Sequence, residues 1–211
     1  QKPWILSIDD FWIELKPGAN NQIGLFPEQL SNWRWSVKQL KKIKQKSDRP
    51  IKILNGFAYT GAATLALSSV QKSTHANIQI THVDAAKASV NWAKNNATLS
   101  GFADHNIRWI VDDIVTFMER EIKRKHQYDA IILDPPAFGR SSRGFWEIKR
   151  DLPKLLNLVN TLLSDTPAFV ILSCHAAELS LNDLGSLLEN LDKFNGKKAQ
   201  RIELTLPSQQ G

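Results

Sequence analysis

The sequence predicts an α/β fold with a doubly wound, mostly parallel sheet and a short N-terminal β extension. Three observations carry this. Past Pro50 come five short apolar runs: IKILN (51–55), IQITHVD (78–84), IRWIV (107–111), YDAIILD (128–134) and AFVILSC (168–174). Stretches of helical periodicity separate them, at 61–70, 86–99, 113–126 and 149–164. The composition, 42% hydrophobic and 23% charged over 211 residues, is that of a globular chain. Strand and helix alternating in this way build a parallel sheet covered on both faces, with right-handed crossovers.

In chain order, WILSIDDFWIEL (4–15) reads as one or two short strands, a hairpin turning at Asp9-Asp10. Lys16 to Gln22 is a loop rich in Pro, Gly and Asn. Residues 28–46 read as a helix, with Leu30, Trp33, Val37, Leu40 and Ile43 at helical spacing. Its other face, Arg34, Lys38, Lys41, Lys42, Lys44 and Lys46, is a solvated basic face or a surface for a polyanion. After the five strands come a helix over 178–194 and a strand, RIELTLP, over 201–207. The break near Pro50 divides an extension, 1–50, packed on the core from an α/β body, 51–211.

The formal net charge of +6 favours polyanionic partners. The single cysteine, Cys174, excludes a disulfide framework and a Cys-rich metal site, and it suits a reducing, cytoplasmic setting. No apolar run reaches the ~18 residues of a membrane span. The start, Gln1-Lys2-Pro3-Trp4, is not a signal peptide, and with no initiator Met a fragment is expected. Seven Trp is a high count, enough for exposed anchors as well as core packing.

Ligands of an open parallel sheet bind beyond the carboxyl ends of its strands, so the residues there carry the candidate chemistry. After the first run, Asn55-Gly56-Phe57-Ala58-Tyr59-Thr60-Gly61 opens a helix whose free N–H groups suit a carboxylate or phosphate. It is neither GxGxxG nor a P-loop, and a structural turn is an equal reading. After the second, Asp84 can take both hydroxyls of a ribose or cap the next helix. After the third, one of Asp112 and Asp113 can accept from an adenine amino group while the other caps a helix. After the fourth, Pro135 and Pro136 stiffen a turn that aims Asp134 into the cleft, and Phe138 can stack on a base. Arg140 to Gly144 then reads as a basic, flexible loop suited to phosphates. After the fifth comes Ser173-Cys174-His175, where Cys174 is a nucleophile or a small core residue.

The stretches LNGFAYTGAATLA, THVDAAKASVNWAKNNATLSG, VDDIVTFMEREI and ILDPPAFGR, in that order, resemble the class I S-adenosylmethionine-dependent methyltransferases. Within them the chain is similar to the 23S rRNA large-subunit methyltransferase I-like group. GLFPEQLSNWRW (24–35) resembles that group's extra cofactor-binding segment. The resemblance covers about residues 10–207 and implies a Rossmann-like methyltransferase sheet with S-adenosylmethionine as cofactor. It implies that Phe26, Gln29, Asn55, Phe57, Tyr59, Thr60 and Gly61 line the methionine end of that cofactor. Asp84 is then on its ribose and Asp112 or Asp113 on its adenine. Asp134, Pro135, Pro136 and Phe138 face the target base. RNA, most simply ribosomal, is the implied partner in the cytoplasm, with no membrane association and the oligomeric state open, a homodimer included. Asn55 stands where the superfamily has an acid, and the RNA-binding PUA domain that related enzymes carry is not seen in these 211 residues. Only RIELTLP follows the last helix, where the fold ends in a strand pair, so a truncated final strand is expected.

The methylated atom divides two chemistries. The Asp-Pro-Pro-aromatic turn resembles that of enzymes acting on base nitrogens, with no covalent step. The position of Cys174 resembles that of the nucleophile in 5-methylcytosine RNA enzymes, where thiolate attack at C6 activates C5 and a base then removes the C5 proton. Position slightly favours cytosine C5, and on that route Cys174→Ser abolishes turnover but not cofactor binding. Protein or small-molecule methylation and a catalytically silent RNA-binding module are the other readings. A dehydrogenase lacks its glycine fingerprint here.

Overall fold

A computed structural model describes residues 3–18, 22–43, 49–74, 76–141, 144–176, 179–194 and 196–206. Its centre is a five-stranded parallel sheet made of β3 (Ile51–Gly56), β4 (Ile78–Asp84), β5 (Ile107–Val111), β6 (Ala130–Leu133) and β9 (Phe169–Leu172). The order is β5-β4-β3-β6-β9. The chain therefore steps outward from β3 to β5, then returns to lay β6 on the other side of β3. That reversal is where an open α/β sheet leaves its ligand crevice.

The runs are strands because neighbouring side chains point to opposite faces and both faces are buried. Ile53, Ile80 and Ile132 pack with Leu67 and Val70 of α2 (Ala62–Thr74) and Leu40 of α1 (Leu30–Lys42). Leu54, Val83, Ile131 and Leu133 pack on the opposite side. There they meet Phe117 and Met118 of α4 (Ile114–Lys123) and Leu152 and Leu155 of α5 (Ile148–Leu162). Completely burying one such side chain stabilises by roughly 1.5–3 kcal/mol. The fold is thus the α/β, doubly wound one that the sequence predicts.

The extension forms the antiparallel hairpin β1 (Trp4–Ile8) and β2 (Phe11–Leu15), turning at Asp9, whose φ is +48°. Phe11 and Ile13 share a core with Trp33, Leu65, Ala97 and Phe102. Backbone bonds anchor β2 to α3 (Lys87–Leu99) and the turn after it: Glu14 N–H donates to Asn96 Oδ1 (2.9 Å) and Trp12 N–H to Ser100 Oγ (2.9 Å).

The structure corrects several expectations. The helix expected over 28–46 begins as a 3-10 turn at Pro27–Gln29, and α1 ends at Lys42; Lys44 and Lys46 lie outside the described residues. The expected flexible loop 140–144 is instead part of a hairpin, β7 (Phe138–Ser141) with β8 (Gly144–Glu147); Ser142 and Arg143 lie outside the described residues. Trp146 fixes the hairpin by donating its indole N–H to Pro136 O at 2.8 Å. The last helix shortens to α6 (Leu181–Glu189), set by a Ser180–Asp183 capping box, and a 3-10 turn follows at Asp192–Phe194. Arg201 to Leu206 form no strand. A cleft lined by Phe169–Leu172 and Lys197–Leu204 separates this segment from β9, so it has no ladder to join. Among the described residues no helix is long and apolar enough to cross a membrane, and no group of three or more His, Cys, Asp or Glu could hold a metal.

Candidate functional site

The loop after β3 is bent into a strained shape. Phe57 and Tyr59 have φ of +55° and +48°, and Gly61 has +92°. Each left-handed non-glycine residue costs on the order of 1 kcal/mol, so the surroundings must impose the conformation. They do so by hydrogen bonds. Ala58 N–H donates to Val83 O (3.1 Å), Tyr59 N–H to Asp84 Oδ2 (2.8 Å) and Thr60 Oγ1 to Gly24 O (2.6 Å). Asn96 donates to Thr60 O at 3.0 Å. Gly56 is required by close approach, because a Cβ there would lie 2.6 Å from Ile114 and 2.8 Å from Leu133. Asn55, where an acid was expected by analogy, donates to Thr64 Oγ1 (2.9 Å), which bonds Nδ1 of the buried His82 (3.0 Å). Burial holds His82 neutral, its pKa pushed down to about 3.

Asp84 closes this loop from β4. Its Oδ2 accepts from Tyr59 and its Oδ1 from Ala86 N–H at 2.8 Å. Burial raises its pKa against the pull of those two donors. It does not cap α3, whose N-cap is Ala86 without a side-chain bond. Two carboxylate oxygens retain lone pairs beyond these bonds, which suits a vicinal diol. Beyond β5, Asp113 caps α4 by accepting from Thr116 N–H at 2.9 Å. Asp112 accepts from Asp113 N–H (3.0 Å) and ion-pairs with Arg120. Asp112 N–H donates to Asp84 O at 3.0 Å, which sets the two strand ends side by side.

Across the reversal stands Asp134. Gln29 Nε2 donates to its Oδ2 at 3.2 Å. Its Oδ1 is buried, has no hydrogen-bond partner, and lies 3.7 Å from His175 Nε2. Burial pushes the carboxyl up to about 6; His175 pulls it down and Glu28 pushes it up. Phe57 contacts Trp146 (ring centroids 5.7 Å apart), and Phe138 stacks on Phe145 (6.0 Å), both of that pair more than half exposed. Pro135 is buried and Pro136 exposed.

The structure brings Phe26, Gln29, Asn55, Phe57, Tyr59, Thr60 and Asp134 around one cavity. Asp84 borders it through Tyr59, and Gly61 through the start of α2. Cys174 does not line that cavity. Its half-buried thiol accepts from Ala176 N–H at 3.4 Å and packs against the core shared with α4 and α5. Ser173, one residue earlier, is the one that faces the cavity. Sequence reasoning missed Asn32, Ser173 and His175 as members of the site; the only available signal was that Ser173 and His175 flank a strand end.

Asp84, with lone pairs beyond its two backbone donors, and the partnerless Oδ1 of Asp134 are the acceptors this end of the sheet offers. A family profile described as S-adenosylmethionine-dependent methyltransferase matches residues 2–189. A ribosomal RNA large subunit methyltransferase K/L of Vibrio campbellii is 34% identical over 208 residues, covering 96% of this chain and 26% of that protein. The K/L protein of Methylococcus capsulatus is 37% identical over 122 residues, covering 56% of this chain and 16% of that protein. The chain thus spans about a quarter or less of these curated relatives. A solved SAM-dependent methyltransferase from Agrobacterium tumefaciens superposes with TM-score 0.77 at 34% identity, covering 89% of this chain and 57% of that one. A methyltransferase solved with SAH superposes at 0.75, covering 98% of this chain and 50% of that one; at 21% identity it attests the fold alone.

Proposed function

This chain belongs to the class I S-adenosylmethionine-dependent methyltransferases, and we propose that it methylates a base of ribosomal RNA, at a nitrogen. The observation that carries the reading is Asp134 Oδ1, a buried acceptor without a partner, set across the reversal from the Asp84 loop. A base amino or ring N–H would satisfy it. The names of the curated relatives support RNA as the substrate. So do the net charge and the exposed Phe138–Phe145 pair, since a stacked base gains about 1–3 kcal/mol and any base has a face to offer.

The bound cofactor supplies an activated methyl group on a sulfonium. The residues of the chain do the rest. Asp84 accepts from the ribose hydroxyls, and Asp112 or Asp113 stands at the adenine. Phe26, Asn55, Phe57, Tyr59, Thr60 and Gly61 enclose the methionine end. Phe138 and the Pro135-Pro136 turn hold the target base, while Asp134 accepts from its N–H and sets the nucleophilic nitrogen in line. Alignment of this kind can supply up to about 7–11 kcal/mol of the barrier. Cytosine C5 needs a thiolate against the base, and Cys174 lines the neighbouring cleft rather than the cavity around Asp134, which weighs for the nitrogen. Within the family we keep the large-subunit methyltransferase I-like placement on its motifs, residues 1–50 as the packed extension, residues 51–211 as the methyltransferase domain, and the cytoplasm as the setting.

The test is to map methylated positions in ribosomal RNA from cells with and without the protein, and to repeat the transfer in vitro on unmodified RNA. Loss of one base N-methylation is expected. A missing 5-methylcytosine would overturn the nitrogen assignment, and transfer to protein but not RNA would overturn the substrate.

A further inference from the structure

We infer that Asn32 and Ser173 act through Gln29 as positioning residues, fixing its amide so that Asp134 presents one chosen oxygen, Oδ1, to the substrate. The inference rests on the role proposed for Asp134. It departs from the resemblance, which gives Gln29 to the cofactor pocket.

Gln29 is buried, at 5% exposure, and protein groups engage both ends of its amide. Oε1 accepts from Asn32 Nδ2 at 2.9 Å and from Ser173 Oγ at 3.0 Å. Nε2 donates to Asp134 Oδ2 at 3.2 Å. The polarity of this chain of bonds follows from its end. A carboxylate only accepts, so the Gln29 atom facing it must be the NH2. The oxygen then faces the other way and needs donors, which Asn32 and Ser173 supply. An amide oxygen has two lone pairs, and both are taken.

The partners are far apart in sequence and rigidly seated. Asn32 lies in the first turn of α1, and its carbonyl accepts from Ser36 Oγ at 2.7 Å. Ser173 follows β9 and donates its N–H to Leu133 O at 2.9 Å, beside Asp134 itself. Asn32 also donates to Ser173 Oγ at 3.3 Å, closing the ring. A mere pocket wall needs no such set, and buried polar groups without mutual bonds would cost stability. The charged and titratable groups facing Asp134 are His175 beyond β9 and Glu28 in the 3-10 turn. With the donors gone, the Gln29 amide can turn over and offer its oxygen to Asp134. Two acceptors meet only when Asp134 holds a proton, so its acting form would require a higher pH.

The experiment compares the wild-type chain with Ser173→Ala/Asn32→Ala, measuring kcat/KM against pH on unmodified ribosomal RNA and S-adenosylmethionine affinity by calorimetry. The acidic limb is expected to rise by about one pH unit, with roughly three-fold loss at pH 6.5 that vanishes by pH 8.5, and with donor affinity within about two-fold. Ser173→Thr, which keeps the hydroxyl, is expected to restore the wild-type profile. Donor affinity falling in step with kcat/KM, with the pH profile unmoved, would return Gln29 to the cofactor pocket and overturn the inference. If the double variant does not fold, Ser173→Ala alone carries the test with the same sign. If the wild type transfers nothing to RNA, the substrate reading falls separately. A carboxyl NMR titration of Asp134 then decides, and equal midpoints in wild type and variant sink the positioning role.

Discussion

Glu121 is a carboxylate taken wholly out of water and Asp134 one taken out in part, and the chain treats them oppositely. Glu121, on α4, is fully inaccessible. Tyr128 Oη donates to it at 2.7 Å, with His126 Nδ1 at 2.9 Å, Arg124 at 3.1 Å and Arg108 at 3.4 Å. Burial pushes its pKa up, yet Tyr128, His126 and Arg108 outweigh burial and hold it at about 2. Asp134 has one donor, Gln29, on one oxygen and none on the other, and burial carries it up to about 6. The difference separates a carboxylate that holds the fold together from one kept unsatisfied for a visitor. Burial alone does not mark a functional acid; burial without compensation does.

The sharpest way to break the contrast is at the compensated end. Glu121→Ala strands the buried Tyr128 hydroxyl and removes the counter-charge of two arginines. The expected loss is about 3 kcal/mol or more, or roughly 10 °C in Tm by calorimetry. An unchanged Tm would mean that this cluster carries no stability. Next comes Asp134→Asn, expected to cost roughly 100-fold or more in methyl transfer while Tm holds or rises. A Tm fall like that of Glu121→Ala would make Asp134 structural instead.

The two acids also tilt stability against pH in opposite senses. The folded value of Glu121, about 2, lies below its free value of 4.5, so its contribution is present above pH 4.5 and lost as pH falls toward 2. The folded value of Asp134, about 6, lies above its free value of 3.8, so the folded state holds the extra proton and stability drops as pH rises from about 4 to 6. Chemical denaturation of Asp134→Asn across pH 4–6 should show that drop removed. The smallest effect is expected at Cys174→Ser, with turnover within about two-fold because the thiol lies off the cavity. A dead serine variant that still binds cofactor would restore the covalent route.

The parallel body was legible because each of its strands is an apolar run of strand length, and Asp84 and Asp134 stand at the ends of two of them. What could not be read has physical reasons. RIELTLP alternates as a strand does, but a strand needs a neighbour, and Ile202 and Leu206 are left exposed. The stretch 140–144 reads as a loop because its Arg, Ser and Gly residues carry no apolar pattern, whereas the pairing of β7 with β8 is fixed from outside by Trp146 and the stacked phenylalanines. Within the ring of Gln29, Asn32, Ser173 and Asp134 only the Gln29–Asn32 bond is local; the other bonds span 105 to 144 residues, beyond any local pattern. Choosing Cys174 over Ser173 turned on a shift of one residue at the end of β9. Which of two neighbours faces the cavity is settled by packing, not by spacing.

The return of the chain from β5 to β6, on the far side of β3, divides the crevice into two contiguous cassettes. Everything proposed to grip the donor's nucleoside lies between Asn55 and Asp113, while the turn and hairpin that meet the acceptor lie between Asp134 and Glu147. One cassette can drift or be exchanged while the other stays fixed. A lineage carrying this topology can change what it modifies without relearning how to hold its methyl source.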